Sequence, residues 1–312
     1  MMRAMTASTS PGGEPERRRR FASAGIVGSA TPAQLDVLAL VAENKYLATY
    51  HVALILGYSE KNARDHLRAL YDLKPPLVER MAVSGNMVGS QALLAHNAHK
   101  VTAAGLRLLA DMGLVEPGKR ASEATPSLYL GHELAVRDVL AWFSVSGRTL
   151  GHWLEKWDCS GRLDMGGAYA DAVFAYRTAE PGKGPVVAGF VEVDMGTQKS
   201  LSGKSDRWAA KVEIYSRLFS PEERERRKSL LGYANGVLLV TVPDAKRADW
   251  VLGRVAGSPM ASYTLVGIRT ELVPPAPKRE PGKPAGKRPP LPDARHYRWR
   301  RAAGESVALA GP

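Results

Sequence analysis

Three acidic residues in the second half of the chain are the strongest candidates for chemistry. Asp171 begins one predicted strand, and Glu192 and Asp194 lie two residues apart in the next. Because side chains alternate along a strand, Glu192 and Asp194 should share one face of the sheet. Carboxylates in an apolar strand are costly to bury unless they meet a metal ion, a basic group or water. We predict that Asp171 and Glu192 hold Mg²⁺ or Mn²⁺ with help from Asp194. The alternative is a strand end whose acids simply reach solvent.

A basic partner for these acids is expected on the following helix, which is predicted over about residues 205–219. Helical periodicity places Lys204, Lys211 and Tyr215 along the side that packs on the sheet. We predict that Lys211 stabilises negative charge that develops on a phosphate, and Thr197 could add a hydroxyl. The alternative is that the lysines run along apolar stems to solvent, which is the commoner use of such positions.

These residues require a sheet that positions them. The pattern predicts helices over residues 132–143, 205–219 and 245–255, and strands over residues 152–157, 170–176, 186–194, 236–242 and 263–269. That order, αβββαβαβ, is typical of a mixed α/β domain with a central sheet. We place this domain at residues 128–273, after a Pro/Gly/Ser/Lys linker at residues 116–127.

The first half of the chain, residues 31–115, shows a different pattern. Thr31 and Pro32 begin the first of three helices, and a tight Gly57-Tyr58-Ser59 link joins the second helix to the third. A predicted hairpin and a fourth helix follow, which is the layout of a winged helix-turn-helix.

The third helix of this half is the predicted DNA-contacting element. Its outward residues include donors suited to phosphates and base edges, namely Lys61, Asn62, Arg64 and Arg68. The alternatives are an ordinary solvated helix face and a winged helix that contacts only proteins.

The charge balance also favours a polyanion as partner. The chain of 312 residues has 43 Lys+Arg and 31 Asp+Glu, a net charge of +12. Residues 1–20 contribute +3 (five basic minus two acidic) and residues 274–312 contribute +6 (nine minus three). Since basic ends neutralise phosphates and release counterions, we predict binding of double-stranded DNA. We expect residues 1–30 to be an unstructured leader and residues 274–312 an unstructured Pro/Lys/Arg tail. Solubility is the alternative explanation of the charge.

Several classes of protein are excluded by what the sequence lacks. No apolar run reaches the roughly 20 residues of a membrane span. We therefore expect no membrane partner. The only cysteine, Cys159, excludes an internal disulfide, so we expect a protein of the reducing cytoplasm. There is no phosphate-binding P-loop motif and no His-hydrophobe-His metal pair. His96 and His99 lie three apart in the predicted wing without a third ligand, and Tyr215 is a conceivable nucleophile but more typical of packing.

The α/β half resembles the PD-(D/E)xK nuclease fold, with Asp171 in the second strand and Glu192 in the third. It departs from that pattern at two positions: Ala170 replaces the proline before Asp171, and Asp194 stands where the pattern has its lysine. The resemblance implies one of two outcomes. Either Lys211 replaces the missing lysine in a metal-dependent phosphodiesterase, or the site is degenerate and binds DNA without cutting it.

From about residue 31 to residue 239 the chain resembles the actinobacterial replication-relaxation family, which is associated with plasmids and mobile elements. The matching segments are residues 101–105, 132–138, 170–173 and 192–197, together with Lys211 and Tyr215. The resemblance implies a protein that binds DNA in the replication or relaxation of plasmids or mobile elements. One activity that such a protein could have is metal-dependent nicking of DNA. Replication or conjugation proteins would be its partners. The alternative is a non-catalytic winged-helix regulator that uses its α/β domain for dimerisation or partner contact.

Overall fold

The computed structural model describes residues 30–82, 97–116, 127–160, 165, 169–178, 184–196, 207–275, 277, 287–302 and 304–309. These residues form two compact units, one up to Leu134 and one from Ala135 onward. The described part contains nine helices, a three-stranded sheet and a seven-stranded mixed sheet, which confirms the mixed α/β class. None of the helices described in these ranges is both long and apolar enough to cross a membrane.

The first unit consists of short helices and a small antiparallel sheet. Its helices are α1 (Pro32–Asn44), α2 (Thr49–Leu56), α3 (Glu60–Asp72) and α4 (Ala103–Asp111), and its strands are β1 (Leu47–Ala48), β2 (Val78–Ala82) and β3 (Asn97–Val101). The strands follow the order β1-β3-β2, so β3 pairs with both others. The predicted wing tip between β2 and β3 lies outside the described residues.

Local signals explain where the helices of this unit begin and end. Thr31 caps α1 by accepting a hydrogen bond from the backbone of Gln34 at 3.3 Å. Gly57 ends α2 with φ at 75°, a left-handed conformation that favours glycine. Ser59 then caps α3. Since α3 buries Ala63, Leu67 and Leu70 against α1 and α2, the residues between them face outward.

The second unit is built on the seven-stranded sheet. Its helices are α5 (Ser127–Leu150, which enters the unit at Ala135), α6 (Arg207–Leu218), α7 (Arg224–Leu231), α8 (Ala245–Val255) and α9 (Arg269–Leu272). Its strands are β4 (Trp153–Asp158), β5 (Ala172–Arg177), β6 (Val186–Val193), β7 (Val237–Val242), β8 (Thr264–Ile268), β9 (Trp299–Arg300) and β10 (Ser306–Val307). Helix α5 is longer than predicted, and residues 117–126 of the predicted linker lie outside the described residues.

In this sheet, β6 is an interior strand that pairs with β5 on one side and β7 on the other. The strand order is β10-β9-β8-β7-β6-β5-β4, with β6, β7 and β8 parallel and the outer pairs antiparallel. Phe143 of α5 packs on Phe174 and Tyr176 of β5, which covers one face. Phe190 of β6 packs on Tyr215 of α6 on the other face. The acid-bearing strand therefore lies between two helical layers.

The prediction of an unstructured tail at residues 274–312 is wrong for its described part. Strands β9 and β10 add to the sheet beside β8, and Trp299 is fully buried. Gly267 makes room for that ring, because a Cβ there would lie 2.8 Å from the Trp299 ring. The prolines and basic residues that suggested disorder are outweighed by the burial of two aromatic side chains, Tyr297 and Trp299.

Candidate functional site

Glu192 is the centre of the candidate site. It lies next to the last residue of β6, and only 1% of its side chain is exposed. One carboxylate oxygen accepts a hydrogen bond from the Tyr215 hydroxyl at 2.6 Å, and the other forms an ion pair with the Lys211 ammonium. Lys211 and Tyr215 are four residues apart on α6, so one helix face delivers both partners. The predicted approach of Lys211 to the acidic strand is therefore seen directly.

Opposing influences set the charge of this group. Burial, followed by the nearby charge of Asp171, raises the pKa of Glu192 to about 7, while Lys211 and Tyr215 act in the opposite direction. Burial lowers the pKa of Lys211, but the carboxylates of Glu192 and Asp171 outweigh it and raise that pKa above its ordinary value. Burial also raises the pKa of Tyr215, whose hydroxyl donates a hydrogen bond to Glu192.

Asp171 lies immediately before β5 and is tied to the backbone of β6. Its amide donates to the Val191 carbonyl at 3.1 Å, and its carboxylate accepts from the Val193 amide at 2.7 Å. These two bonds flank Glu192 in the sequence of β6, so the Asp171 charge acts on the Glu192 carboxylate. The structure thus brings Asp171, Glu192 and Lys211 together.

Asp194 has a different set of partners. One oxygen accepts from the Gly196 amide at 2.6 Å, and the other accepts from the Trp208 indole at 2.5 Å and from Arg247 at 2.7 and 3.1 Å. The side chain is 2% exposed. Asp194 therefore fastens the end of β6 to both α6 and α8, and its lone pairs are engaged by the protein itself.

The contacts of the three acids indicate which of them could bind a divalent metal ion. Among the described residues, no group of three or more His, Cys, Asp or Glu side chains is arranged to hold a metal ion. Mg²⁺ often uses only one or two protein carboxylates and takes its other ligands from water and phosphate. Asp171 and Glu192 fit such a two-carboxylate set, whereas Asp194 is committed to Arg247 and Trp208.

Sequence reasoning missed Arg247 as a member of the cluster. It lies near the start of α8, where Asp244 caps the helix, and its guanidinium group is 3.8 Å from the centre of the Trp250 ring. The available signal was positional: residues that follow neighbouring parallel strands meet at the carboxyl edge of the sheet. Asp194 follows β6 and Arg247 follows β7. Two other candidates, Thr197 and Lys204, lie outside the described residues.

The four predicted DNA-contacting residues, Lys61, Asn62, Arg64 and Arg68, are all exposed on α3. Lys61 lies 3.0 Å from Asp65 and Arg68 lies 3.4 Å from Asp72, each one helical turn apart. With 80% of each basic side chain exposed, these ion pairs are weak. The structure thus places all four side chains on one accessible helix.

Of the two histidines of the predicted wing, His99 lies within the described residues. His99 is buried on β3, and its ring nitrogen lies 3.3 Å from the Thr49 hydroxyl. Burial, followed by the charge of Arg80, lowers the pKa of His99 to about 4. His99 is therefore a neutral packing residue at ordinary pH, and His96 lies outside the described residues.

Comparison with known families finds a match. A family model described as replication-relaxation matches residues 38–231, which is more than half of the chain. The match begins within α1, covers the rest of the described first unit and all three acids, together with Lys211 and Tyr215, and ends before Arg247. Comparisons with curated proteins and with solved structures find no match.

Proposed function

The chain belongs to the replication-relaxation family. Because this membership supports a role in plasmid or mobile-element replication, we propose that the protein binds double-stranded DNA in that process. The observation that carries this proposal is the exposed basic side of α3. Helix α3 follows α2 after a tight turn, and the paired strands β2 and β3 come next. That order of elements is the one expected of a winged helix-turn-helix, whose second helix of the turn enters the major groove.

The chemistry of α3 suits this role. Arg64 and Arg68 offer guanidinium groups for phosphates, and Asn62 offers an amide that can pair with adenine. Lys61 and Arg68 would exchange their aspartate partners for phosphates at little cost, because exposed ion pairs contribute less than about 1 kcal/mol. Phosphate binding would also release counterions from the duplex.

Fluorescence anisotropy with labelled duplex DNA tests this proposal. The double variant Arg64→Ala/Arg68→Ala should bind more weakly and lose about 1.8 from the slope of log K against log salt, at about 0.9 per phosphate contact. A matched control is Lys74→Ala/Arg107→Ala, which removes the same charge from exposed positions elsewhere in the unit. Equal affinity and slope in the Arg64/Arg68 variant and the wild type would contradict contact through α3.

The α/β unit supports a second candidate function, metal-dependent nicking of DNA. The observation that favours it is the meeting of the Lys211 ammonium with Glu192, beside Asp171. Two acids and a lysine form the set that the nuclease-like pattern requires, with the lysine supplied by a helix. Asp171 and Glu192 would hold Mg²⁺ or Mn²⁺, and such an ion neutralises charge on a phosphodiester.

The protein's own groups have separable roles in this candidate function. Lys211 would face the phosphate and stabilise negative charge as it develops. Tyr215 orients the Glu192 carboxylate through its 2.6 Å hydrogen bond. Asp194 holds α6 in place through Trp208, and so positions Lys211 without touching the phosphate.

The test of nicking uses supercoiled plasmid with Mg²⁺ or Mn²⁺ and follows relaxed and linear product. Asp171→Asn and Glu192→Gln should abolish product while DNA binding persists. Glu213→Gln is the matched control, because Glu213 is an exposed acid on α6. Cleavage that persists in both site variants would exclude this site. Binding without cleavage in the wild type, on DNA that includes the origin, would favour the non-catalytic accessory role.

A further inference from the structure

The C-terminal segment that joins the sheet carries arginines on its outer side. Within it, Tyr297 and Trp299 are buried, whereas Arg295 and Arg298 are exposed and Arg300 is half-buried. Successive side chains of an extended strand point to opposite sides, so the aromatic residues face the core while Arg298 and Arg300 share the outer side. From Tyr297 to Arg300 the segment is therefore amphipathic with a period of two, and Arg295 is exposed on the turn that precedes it.

Several contacts fix the backbone of this segment. The Tyr297 hydroxyl accepts a hydrogen bond from the Ile268 amide at 2.8 Å. The Trp142 ring packs edge-on against Tyr297 and Trp299, with ring centres 6.0 and 5.6 Å apart. The Asp293 carboxylate accepts the backbone amide of Arg295 at 3.0 Å. Arg298 and Arg300 are thus presented from a fixed extended segment and Arg295 from the turn that precedes it, which lowers the entropy lost when they bind a partner.

The C-terminal segment carries a large excess of positive charge. Residues 287–302 contain six Lys or Arg and one acid, Asp293, for a formal charge of +5 (six minus one). Asp293 is occupied by backbone amides and by the His296 ring at 2.8 Å. Arg300 lies 3.7 Å from Asp249, a long pair with 74% of the aspartate exposed. Positive charge on this surface is therefore only weakly compensated by these acids.

We propose that Arg295, Arg298 and Arg300, here named the arginine row, form a second DNA-binding surface that contacts the phosphate backbone of duplex DNA. The inference rests on the proposed DNA-binding function and deepens it, because it assigns a contact to the α/β unit in addition to α3. Guanidinium groups form paired hydrogen bonds with phosphate oxygens. Arg298 and Arg300 are two residues apart, about 6.7 Å along a strand, which suits neighbouring phosphates of one DNA strand. Contacts of this kind carry no sequence preference.

The experiment measures binding of the full chain to a labelled duplex of arbitrary sequence by anisotropy, over a range of KCl concentrations. Arg295→Gln/Arg298→Gln should lower the salt slope by about 1.8, for two lost phosphate contacts. Between about 50 and 200 mM KCl, the wild type should then lose about tenfold more affinity than this variant. Arg224→Gln/Lys228→Gln is the matched control, since it removes the same charge from exposed positions on α7.

The possible results separate this inference from the proposed function. A reduced slope in the arginine-row variant, with a wild-type slope in the α7 variant, is the expected result. Equal reductions of the slope in both variants would reflect overall charge and would overturn the proposed contact through the arginine row. A wild-type slope in the arginine-row variant would also overturn it. A wild-type protein that binds no duplex overturns the proposed function, and the arginine row with it. Circular dichroism of each variant checks that these exposed substitutions leave the fold intact.

Discussion

Lys211 on α6 forms an ion pair with Glu192 on β6, across the interface between the helix and an interior strand of the sheet. The negative charge of Asp171, which lies immediately before the neighbouring strand β5, raises the pKa of the same carboxylate. A buried acid thus lies between one charge that favours its ionisation and one that opposes it. Each of these influences can be removed separately, and the effects on Glu192 have opposite signs.

Removal of the lysine should raise the pKa of Glu192 above about 7. In Lys211→Met, burial and the Asp171 charge continue to oppose ionisation, while the main favourable partner is lost. Carbon-13 NMR titration of the Glu192 carboxyl measures the effect. Lys228→Met, on the exposed side of α7, is the control and should leave the titration unchanged. An unchanged or lower pKa in Lys211→Met would show that the ion pair does not control this carboxyl.

Removal of the neighbouring acid should lower the pKa of Glu192. Asp171→Asn keeps the size of the side chain and deletes its negative charge, so Glu192 ionises more readily. The same NMR titration should therefore move to lower pH than in the wild type. Asp158→Asn, at the end of β4, serves as a control that removes one acid elsewhere in the unit. If both variants titrate like the wild type, Asp171 and Glu192 do not interact.

The raised pKa of Glu192 also predicts a pH dependence of stability. The pKa of Glu192 is about 7 in the folded protein and ordinarily 4.5, so the folded state holds this proton more tightly than the unfolded state. The resulting stabilisation is fully present below about pH 4.5 and is lost as pH rises through about 7. Glu192→Gln cannot ionise, and urea unfolding should show that it loses less stability than the wild type between pH 5 and pH 8. The difference should be on the order of 1 to 3 kcal/mol. Parallel pH profiles of the two proteins would rule out this account.

Local periodicity predicted the core of the site because its parts are close along the chain. Strand alternation correctly placed Glu192 with Phe190, and helical spacing correctly directed Lys211 and Tyr215 toward that face. Arg247 escaped this reasoning because its contact with Asp194 depends on which strands are neighbours in the sheet. Period alone does not specify strand order.

The C-terminal segment shows a second limit of sequence reasoning. Its prolines and basic residues indicated disorder, since composition reports how much apolar surface a segment can bury alone. Trp299 packs against Trp142 of α5, which is more than 150 residues earlier in the chain, and against Gly267 of β8. Those partners are defined only once the sheet has formed. The burial of a few aromatic residues therefore keeps this segment folded, although its average composition is typical of disorder.

The contact between Arg247 and Asp194 should contribute strongly to stability. Arg247→Ala leaves a carboxylate that is 2% exposed without its cationic partner, and loss of one member of a buried pair costs about 3 to 5 kcal/mol. Urea unfolding measures this loss. The double variant Arg247→Ala/Asp194→Asn should recover part of it, because the uncompensated charge is gone. Lys246→Ala, an exposed neighbour on α8, should change stability by less than about 0.5 kcal/mol. A loss in Arg247→Ala no larger than in this control would show that the pair is not stabilising.

Burial of Trp299 predicts that the C-terminal segment is part of the folded α/β unit. Trp299→Ala removes a side chain with 0% exposure that packs on Trp142 and Gly267, and such deletions cost about 3 to 5 kcal/mol. The measurement is urea unfolding followed by circular dichroism, with Tyr169→Ala as control because that side chain is 58% exposed. Hydrogen exchange adds a second readout: the Ile268 amide, which donates to the Tyr297 hydroxyl, should exchange faster in Trp299→Ala. Wild-type stability together with unchanged exchange at Ile268 would mean that this segment is not docked on the sheet.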